Sequence, residues 1–357
     1  MLASPTIKLL IIVEPIIIIN NNKRKNMNNF KKVGLTALAG SLAVFSVAQA
    51  DLVLSGSTEA TYTSKGTERS AGNPFGLSNE FTLTGTGELD NGFTYKAHTN
   101  FAGQDMGTDS NYLQMDMGSM GVVTLDQGNE AAGISTLTNF GNPSAYEEAD
   151  HGVSTLDDKL DSNATGAIGY SNSYEGISLS VEYIPSVNAT ASQAGATSGA
   201  TAGSNAGSQL NFAIQGSVPS VEGLVLAFGD HSGKSEVPGQ GDDEGQTFGA
   251  RYSIGNATIG YQRITEQSGV ASSAGHDGEM YGVAFNINEN LSVSYNIADM
   301  TVDNVSTADV TEESTGISAS YTMGSASIRM SRNDADNVGG TAGVSRENTE
   351  LSLALAF

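Results

Sequence analysis

The side chains that could carry chemistry in this sequence are four histidines and a large set of carboxylates. The histidines, His98, His151, His231 and His276, are scattered along the chain. The sequence has no serine-nucleophile motif G-x-S-x-G and no zinc-protease motif H-E-x-x-H. We therefore expect that the protein is not an enzyme. The enzymatic alternative is a site assembled from loop acids and one histidine.

A compact acidic triplet, Asp242, Asp243 and Glu244, is the best candidate for a metal site. Hard oxygen ligands of this kind suit Ca²⁺ or Mg²⁺. The spacing of a calcium-binding loop is missing, so we favour a solvated loop with, as the alternative, loosely bound divalent ions. We expect no other cofactor.

The charge of the chain is strongly negative, with 16 Lys and Arg against 39 Asp and Glu. The first 50 residues hold six of the basic and one of the acidic residues, which leaves 10 basic and 38 acidic residues beyond them. A surface of this charge repels nucleic acid, so we exclude DNA and RNA as partners. Cysteine is absent, so disulfides do not stabilise the fold.

The N-terminal part has the composition of an export signal. Lys31 and Lys32 precede an apolar run, 33–47, and Ala48-Gln49-Ala50 forms an A-x-A cleavage site. We interpret residues 27–50 as a secretory signal peptide cleaved after Ala50. Residues 1–26 are interpreted as a mis-assigned upstream extension, and residues 51–357 as the mature domain.

From Asp51 onward, apolar and polar residues alternate, which is typical of β-strands with two different faces. Such strands form either a soluble sandwich or a transmembrane barrel. The connections decide between them, because short turns alternate with long polar stretches, and only an outer-membrane barrel keeps turns at one end and loops at the other. The sequence therefore predicts an all-β fold, a transmembrane antiparallel β-barrel of about 16 strands, with short periplasmic turns and long outer loops. The short turns are predicted at 90–92, 118–121, 174–176, 254–256, 288–290 and 323–325.

The polar face of each strand should line the lumen of this barrel. By alternation, three basic side chains point inward, namely Lys96, Arg251 and Arg329. The other inward candidates are His98, Glu59, Glu88, Asp116, Asp126 and Glu182. Lumen size and lumen charge are the properties that decide what passes through such a barrel.

Three places in the chain carry a family resemblance. They are the opening strand at 51–62, the strand Gly121-Val122-Val123-Thr124-Leu125 before a long third loop, and the closing strand that ends in Phe357. With these features the chain resembles the general diffusion porins of Gram-negative bacteria, in particular the short acidic porins of alpha-proteobacteria.

The resemblance implies several further features. The third loop, about 129–163, would fold inward, and its acids would face a basic cluster on the wall. The closing strand, with Leu353, Leu355 and Phe357, would be recognised by the barrel-assembly machinery. The protein would be a homotrimer in contact with outer-membrane lipid and lipopolysaccharide. The acids of the loop are Glu147, Glu148, Asp150, Asp157 and Asp158.

The function that follows is a water-filled channel in the cell outer membrane for passive diffusion of ions and small hydrophilic solutes. Because acids outnumber bases along the lumen, we expect a preference for cations. The alternatives are a solute-specific channel and a non-conducting surface barrel that acts as an adhesin or a structural protein.

Overall fold

The computed structural model describes residues 51–66, 72–103, 106–126, 133–149, 151–153, 166–186, 206–235, 240–270 and 272–357. Most of these residues belong to β-strands. The strands are β1 (Asp51–Lys65), β2 (Phe75–Glu88), β3 (Thr94–Ala102), β4 (Gly107–Asp116), β5 (Val122–Asp126), β6 (Ala167–Tyr174), β7 (Ile177–Ile184), β8 (Ala206–Ser217), β9 (Leu224–Ser235), β10 (Asp243–Ile254), β11 (Ala257–Gln267), β12 (Gly275–Asn286), β13 (Leu291–Asp303), β14 (Val310–Met323), β15 (Ala326–Asp336) and β16 (Ser345–Ala356). Three short 3₁₀ turns, Gly118–Met120, Ile134–Leu137 and Val338–Gly340, interrupt the connections.

The strands form one closed barrel in which each strand pairs antiparallel with its neighbours in the chain. The ring closes between β1 and β16, where Ala60 lies opposite Leu353. Beyond the last paired residues of β16, the backbone N–H of Gly56 donates to Phe357 O at 2.9 Å and that of Phe357 donates to Gly56 O at 2.8 Å. Closure leaves no free sheet edge, so the backbone groups of the barrel are satisfied without water. The predicted barrel of about 16 strands is confirmed.

Turns and longer connections alternate around most of the barrel, but the connection between β3 and β4, 103–106, is as short as a turn because β4 already begins at Gly107. The sequence patterns missed one turn, 218–223, between β8 and β9. There the N–H of Val218 donates to Leu224 O at 2.9 Å, and Gly223 adopts a positive φ of 84°. The turn contains apolar residues, Val218 and Val221, which made it resemble a continuing strand. Within the described residues, no helix is long and apolar enough to cross a membrane.

The two faces of the sheet are inverted relative to a soluble protein. Outward-facing side chains such as Ile259, Val283 and Ile317 are apolar and 40–57% exposed. Inward-facing ones such as Asn296 and Asn333 are polar and fully buried. An apolar surface of this extent is stable against lipid but not against water. On the closing strand, Leu351, Leu353 and Leu355 all belong to this exposed apolar surface.

Aromatic and charged side chains bound the apolar surface at both ends. Toward the loops, the rings of Tyr261 and Tyr281 lie 5.1 Å apart. Beside them, Arg263 Nη2 lies 2.8 Å from Asp277 Oδ2. At the C-terminal end of β16, Phe357 meets Phe81 edge to face at 5.9 Å. Such aromatic girdles mark the two lipid–water interfaces of a transmembrane barrel.

A charge placed inside this band should destabilise the barrel. Val283 lies on the outward face between Tyr281 and Phe285, so Val283→Arg should lower the free energy of unfolding by about 2–4 kcal/mol. The matched control is Ala284→Arg, on the inward face one residue further, which should cost less than half as much. Urea unfolding of the protein in lipid vesicles measures both, and equal effects would contradict the assignment of the faces.

Candidate functional site

The connection between β5 and β6 folds into the barrel, and its described part, 133–149 with 151–153, lies against the inner wall. We call this part the inner loop. It begins with apolar contacts: Ile134 and Leu137 are each 1% exposed and pack with Phe140 against the small inward side chains of Ala213 and Ala227. This cluster stabilises the start of the inner loop by excluding water from its apolar side chains.

The next part of the inner loop is held by amide side chains of the wall. Gln262 on β11 accepts the N–H of Gly141 at 2.8 Å and donates to Leu137 O at 2.8 Å. Asn296 on β13 donates to Pro143 O at 2.9 Å. Because these groups are buried, each unmade bond would cost about 1–3 kcal/mol.

Two serines and a further asparagine continue this contact. The N–H of Ala145 donates to Ser294 Oγ at 2.9 Å, and that of Tyr146 donates to Ser318 Oγ at 3.0 Å. Asn333 on β15 then donates to His151 O at 3.0 Å. Side chains of the wall thus supply the backbone of the inner loop with the hydrogen-bond partners that a neighbouring β-strand would supply in a sheet.

Glycines let the inner loop approach the wall closely. A Cβ atom on Gly260 or on Gly282 would lie 2.7 Å from Pro143 Cδ. A Cβ on Gly316 would lie 2.7 Å from Ala149 Cα. These three glycines and three inward asparagines follow one another around the wall, and each residue is paired with the next on the neighbouring strand. We call this set the glycine–asparagine row: Gly260, Gly282, Asn296, Gly316, Asn333 and Asn348.

Two of the three predicted inward bases hold the inner loop. Arg251 donates from Nε and Nη2 to Phe140 O at 3.0 and 2.6 Å, and its guanidinium lies 4.7 Å from the Phe140 ring centroid. Arg329 pairs with Glu59 at 2.5 Å and lies over the Tyr146 ring at 4.4 Å. The structure places both arginines on the part of the wall that the inner loop contacts, not across the lumen from it.

The described acids of the inner loop lie near its C-terminal end, close to β16. Glu147 lies 3.2 Å from His151 Nδ1, and Tyr146 donates to Glu350 Oε1 at 2.6 Å. Ser144 Oγ donates to Glu148 Oε1 at 3.5 Å. Burial, together with the nearby charge of Glu350, raises the pKa of Glu147, and His151 opposes the shift. Burial and the hydrogen bond to Glu350 raise the pKa of the Tyr146 hydroxyl.

The other predicted lumen residues lie on strands β2 to β7. Lys96 and His98 are neighbours on β3: Lys96 Nζ lies 4.8 Å from the Tyr112 ring centroid, and the His98 ring stacks on Tyr112 at 4.5 Å. Glu182 is buried and accepts from Asn211 at 2.7 Å. The remaining predicted acids also lie at inward positions of their strands. Glu88 is paired with Thr94, Asp116 with Thr94 and Val122, and Asp126 with Tyr112.

Three predicted acids, Asp150, Asp157 and Asp158, lie outside the described residues. In the acidic triplet, Asp242 pairs with Lys234 at 2.6 Å, and Asp243 accepts the N–H of Gly269 at 2.7 Å. These two carboxylates therefore already have partners in the chain. A divalent ion at the triplet, which includes Glu244, stays a prediction.

The sequence analysis missed the wall residues that bind the inner loop. Gln262, Asn296, Asn333 and Glu350 occupy polar positions of alternating strands, where any polar residue satisfies the pattern. Arg346 was also missed; it donates to Val153 O at 3.2 Å. The available signal was the recurrence of amide side chains and glycines at inward positions of β11 to β16.

Loss of one wall amide should loosen the inner loop. Gln262→Leu removes the acceptor of Gly141 N–H and one of the two donors to Leu137 O, so hydrogen-exchange protection at 137–142 should fall roughly 10- to 100-fold. Gln114→Leu, an inward glutamine on β4, is the matched control and should leave that segment unchanged. Hydrogen exchange followed by mass spectrometry measures both, and unaltered protection in Gln262→Leu would contradict the anchoring role.

Residues 34–357 match the sequence model of a family described as Gram-negative porin. Many solved structures share the fold, and three of them illustrate the likeness. OmpF of Salmonella typhi, in complex with daunomycin, is 11% identical, with a TM-score of 0.66 over 86% of this chain and 97% of that chain. The anion-selective porin of Comamonas acidovorans is 16% identical, with a TM-score of 0.62 over 87% and 100%. The trimer form of OmpT of Vibrio cholerae is 12% identical, with a TM-score of 0.63 over 86% and 99%.

A search of curated proteins finds no match. The family match covers far more than half of the chain and agrees with the closed barrel. The chain therefore belongs to the Gram-negative porin family.

Proposed function

We propose that the protein is a cation-preferring diffusion channel of the outer membrane. The observation that carries this proposal is that the basic and the acidic side chains around the inner loop have different partners. Arg251 donates to loop carbonyls, and Arg329 is paired with Glu59. Glu147 and Glu350, in contrast, share the single imidazole of His151. Among the described residues, fixed negative charge therefore exceeds fixed positive charge at this end of the inner loop, even with Arg346, which donates to Val153 O.

The barrel architecture alone does not favour either sign of ion. The Comamonas acidovorans porin has the same fold and is anion-selective. Selectivity must therefore depend on the side chains that face the narrowed lumen. In this chain the inner loop contacts β7 to β16 and β1, and Lys96 on β3 belongs to the remaining arc of the wall. In the described part of that arc, one lysine, already in contact with the Tyr112 ring, opposes the carboxylates of the loop.

We propose further that the chain is exported with cleavage after Ala50, is inserted by the barrel-assembly machinery, and forms homotrimers in contact with lipid and lipopolysaccharide. The outward Leu353 and Leu355, with the terminal Phe357 against Phe81, support recognition of the closing strand. The trimer form of the Vibrio cholerae protein, which has the same fold, supports the oligomeric state.

Removing the excess carboxylates should weaken the preference for cations. In the double variant Glu147→Gln/Glu350→Gln, the cation-to-anion permeability ratio should fall by roughly two-fold or more, because the lumen loses two fixed charges. The reversal potential of single channels across a potassium chloride gradient measures the ratio. Asp299→Asn, on the outward face, is the control and should have no effect. Anion preference of the unaltered channel would overturn the proposal.

As the pH is lowered, the preference for cations should begin to weaken at a higher pH than the titration of an ordinary glutamate would cause. Because the pKa of Glu147 is raised, its charge is lost as the pH falls through a range above the usual titration of glutamate. His151, Glu350 and Arg329 face this carboxyl, so the measurement uses a His151→Asn background. The reversal potential should begin to shift in that range, and adding Glu147→Gln should remove this first part of the pH profile. An identical profile with and without Glu147 would contradict the assignment.

A further inference from the structure

Three side chains of the kinds that bind transition metals meet where the inner loop reaches β16. One ligand atom each from Glu147, His151 and Glu350 can be chosen so that all three lie within 4.8 Å of one another. His151 Nδ1 is 3.2 Å from Glu147 Oε2, and His151 Nε2 is 4.0 Å from Glu350 Oε2. The side chains are 38%, 20% and 13% exposed for His151, Glu147 and Glu350, so the group is shielded but open to the lumen.

The surrounding residues orient this group. Tyr146 donates to Glu350 Oε1 at 2.6 Å, and Thr63 donates to Glu350 Oε2 at 3.1 Å. The backbone of His151 is fixed by Asn333, which donates to its carbonyl oxygen at 3.0 Å. Hydrogen bonds of this kind, from a second layer of residues to a ligand, are typical of metal sites because they fix the direction of the ligand.

We propose that Glu147, His151 and Glu350 bind a divalent transition metal ion of the Zn²⁺ type in the lumen. An imidazole nitrogen with two carboxylates is a donor set that suits such ions, and three protein ligands with an open fourth position are a common zinc arrangement. In a tetrahedral site with bonds of about 2.0–2.2 Å, ligand atoms lie about 3.3 Å apart. With Nδ1 of His151 as the ligand, its distance of 3.2 Å to Glu147 Oε2 already matches this value. Glu350 Oε2 lies 4.0 Å from the other ring nitrogen, Nε2, so the Glu350 side chain must rotate toward Nδ1 to complete the site.

The charges of the site favour a divalent cation over a monovalent one. Two carboxylates and a neutral imidazole balance a double positive charge. Arg329 is the nearest base, and its charge is already balanced by Glu59 at 2.5 Å. The imidazole distinguishes this site from an all-oxygen site, which suits Ca²⁺ or Mg²⁺. Occupation of the site would cancel the excess negative charge of the lumen, so Zn²⁺ should reduce the cation current; this consequence rests on the proposed function.

Calorimetric titration of the purified, folded protein with Zn²⁺ tests the binding itself. We expect one Zn²⁺ per chain, affinity at least ten-fold lower in His151→Asn and in Glu350→Gln, and much weaker binding of Ca²⁺. The matched control is His276→Asn, because His276 lies 2.9 Å from a single carboxylate, Glu266, and its removal should leave the affinity unchanged. Urea unfolding of each variant checks that it is folded.

Zn²⁺ binding that persists in His151→Asn, or Ca²⁺ binding as tight as that of Zn²⁺, would overturn the site. Absence of stoichiometric binding to the unaltered protein would do the same. Single-channel current with and without Zn²⁺ is recorded in parallel. A channel that conducts and prefers cations without Zn²⁺ but fails to bind the metal refutes the site alone. A protein that binds Zn²⁺ through these residues but does not conduct supports the site and refutes the proposed function.

Discussion

The fit between the inner loop and the glycine–asparagine row is the constraint on which the lumen of this barrel depends. A barrel of 16 strands is too wide for its own side chains to fill, so its interior is water unless another segment enters it. A segment that enters brings backbone groups that need hydrogen-bond partners. Asn296 and Asn333, with Gln262 beside the row, supply these partners, and glycines such as Gly282 supply the space. The width and the charge of the opening both follow from where this contact holds the loop.

The contact also decides what each base can do. Arg251 and Arg329 point into the lumen, and both contact the inner loop, Arg251 through the carbonyl oxygen of Phe140 and Arg329 through the ring of Tyr146. Arg329 is also paired with Glu59 on β1. The charge of Arg329 is balanced by Glu59, whereas Arg251 donates to a neutral carbonyl and keeps its positive charge near the start of the inner loop. Carboxylates at the end of the loop have fewer cationic partners, and the excess negative charge lies there. The same set of contacts therefore determines both the position of the inner loop and the distribution of charge in the lumen.

Much of the fold could be predicted from the sequence, because a strand with one face to lipid and one to water has a period of two that is visible residue by residue. The positions of the turns followed for the same reason, except at 218–223, where Val218 and Val221 continue the apolar pattern. The anchoring of the inner loop could not be predicted, since Gln262 contacts Gly141 across 121 residues and an inward glutamine that binds a loop has the same pattern as one that faces water. Alternation gave the direction of Arg251 and Arg329 but not their partners.

The most direct test of this account is a disulfide between the inner loop and the wall. The chain contains no cysteine, so the pair Ala145→Cys/Ser294→Cys can be introduced without competing thiols. In the structure the N–H of Ala145 donates to Ser294 Oγ at 2.9 Å. Single-channel conductance and reversal potential are measured before and after oxidation. The account predicts that the disulfide forms readily and leaves both quantities unchanged, because the loop already lies there. A disulfide that does not form, or one that changes the conductance severalfold, would contradict it.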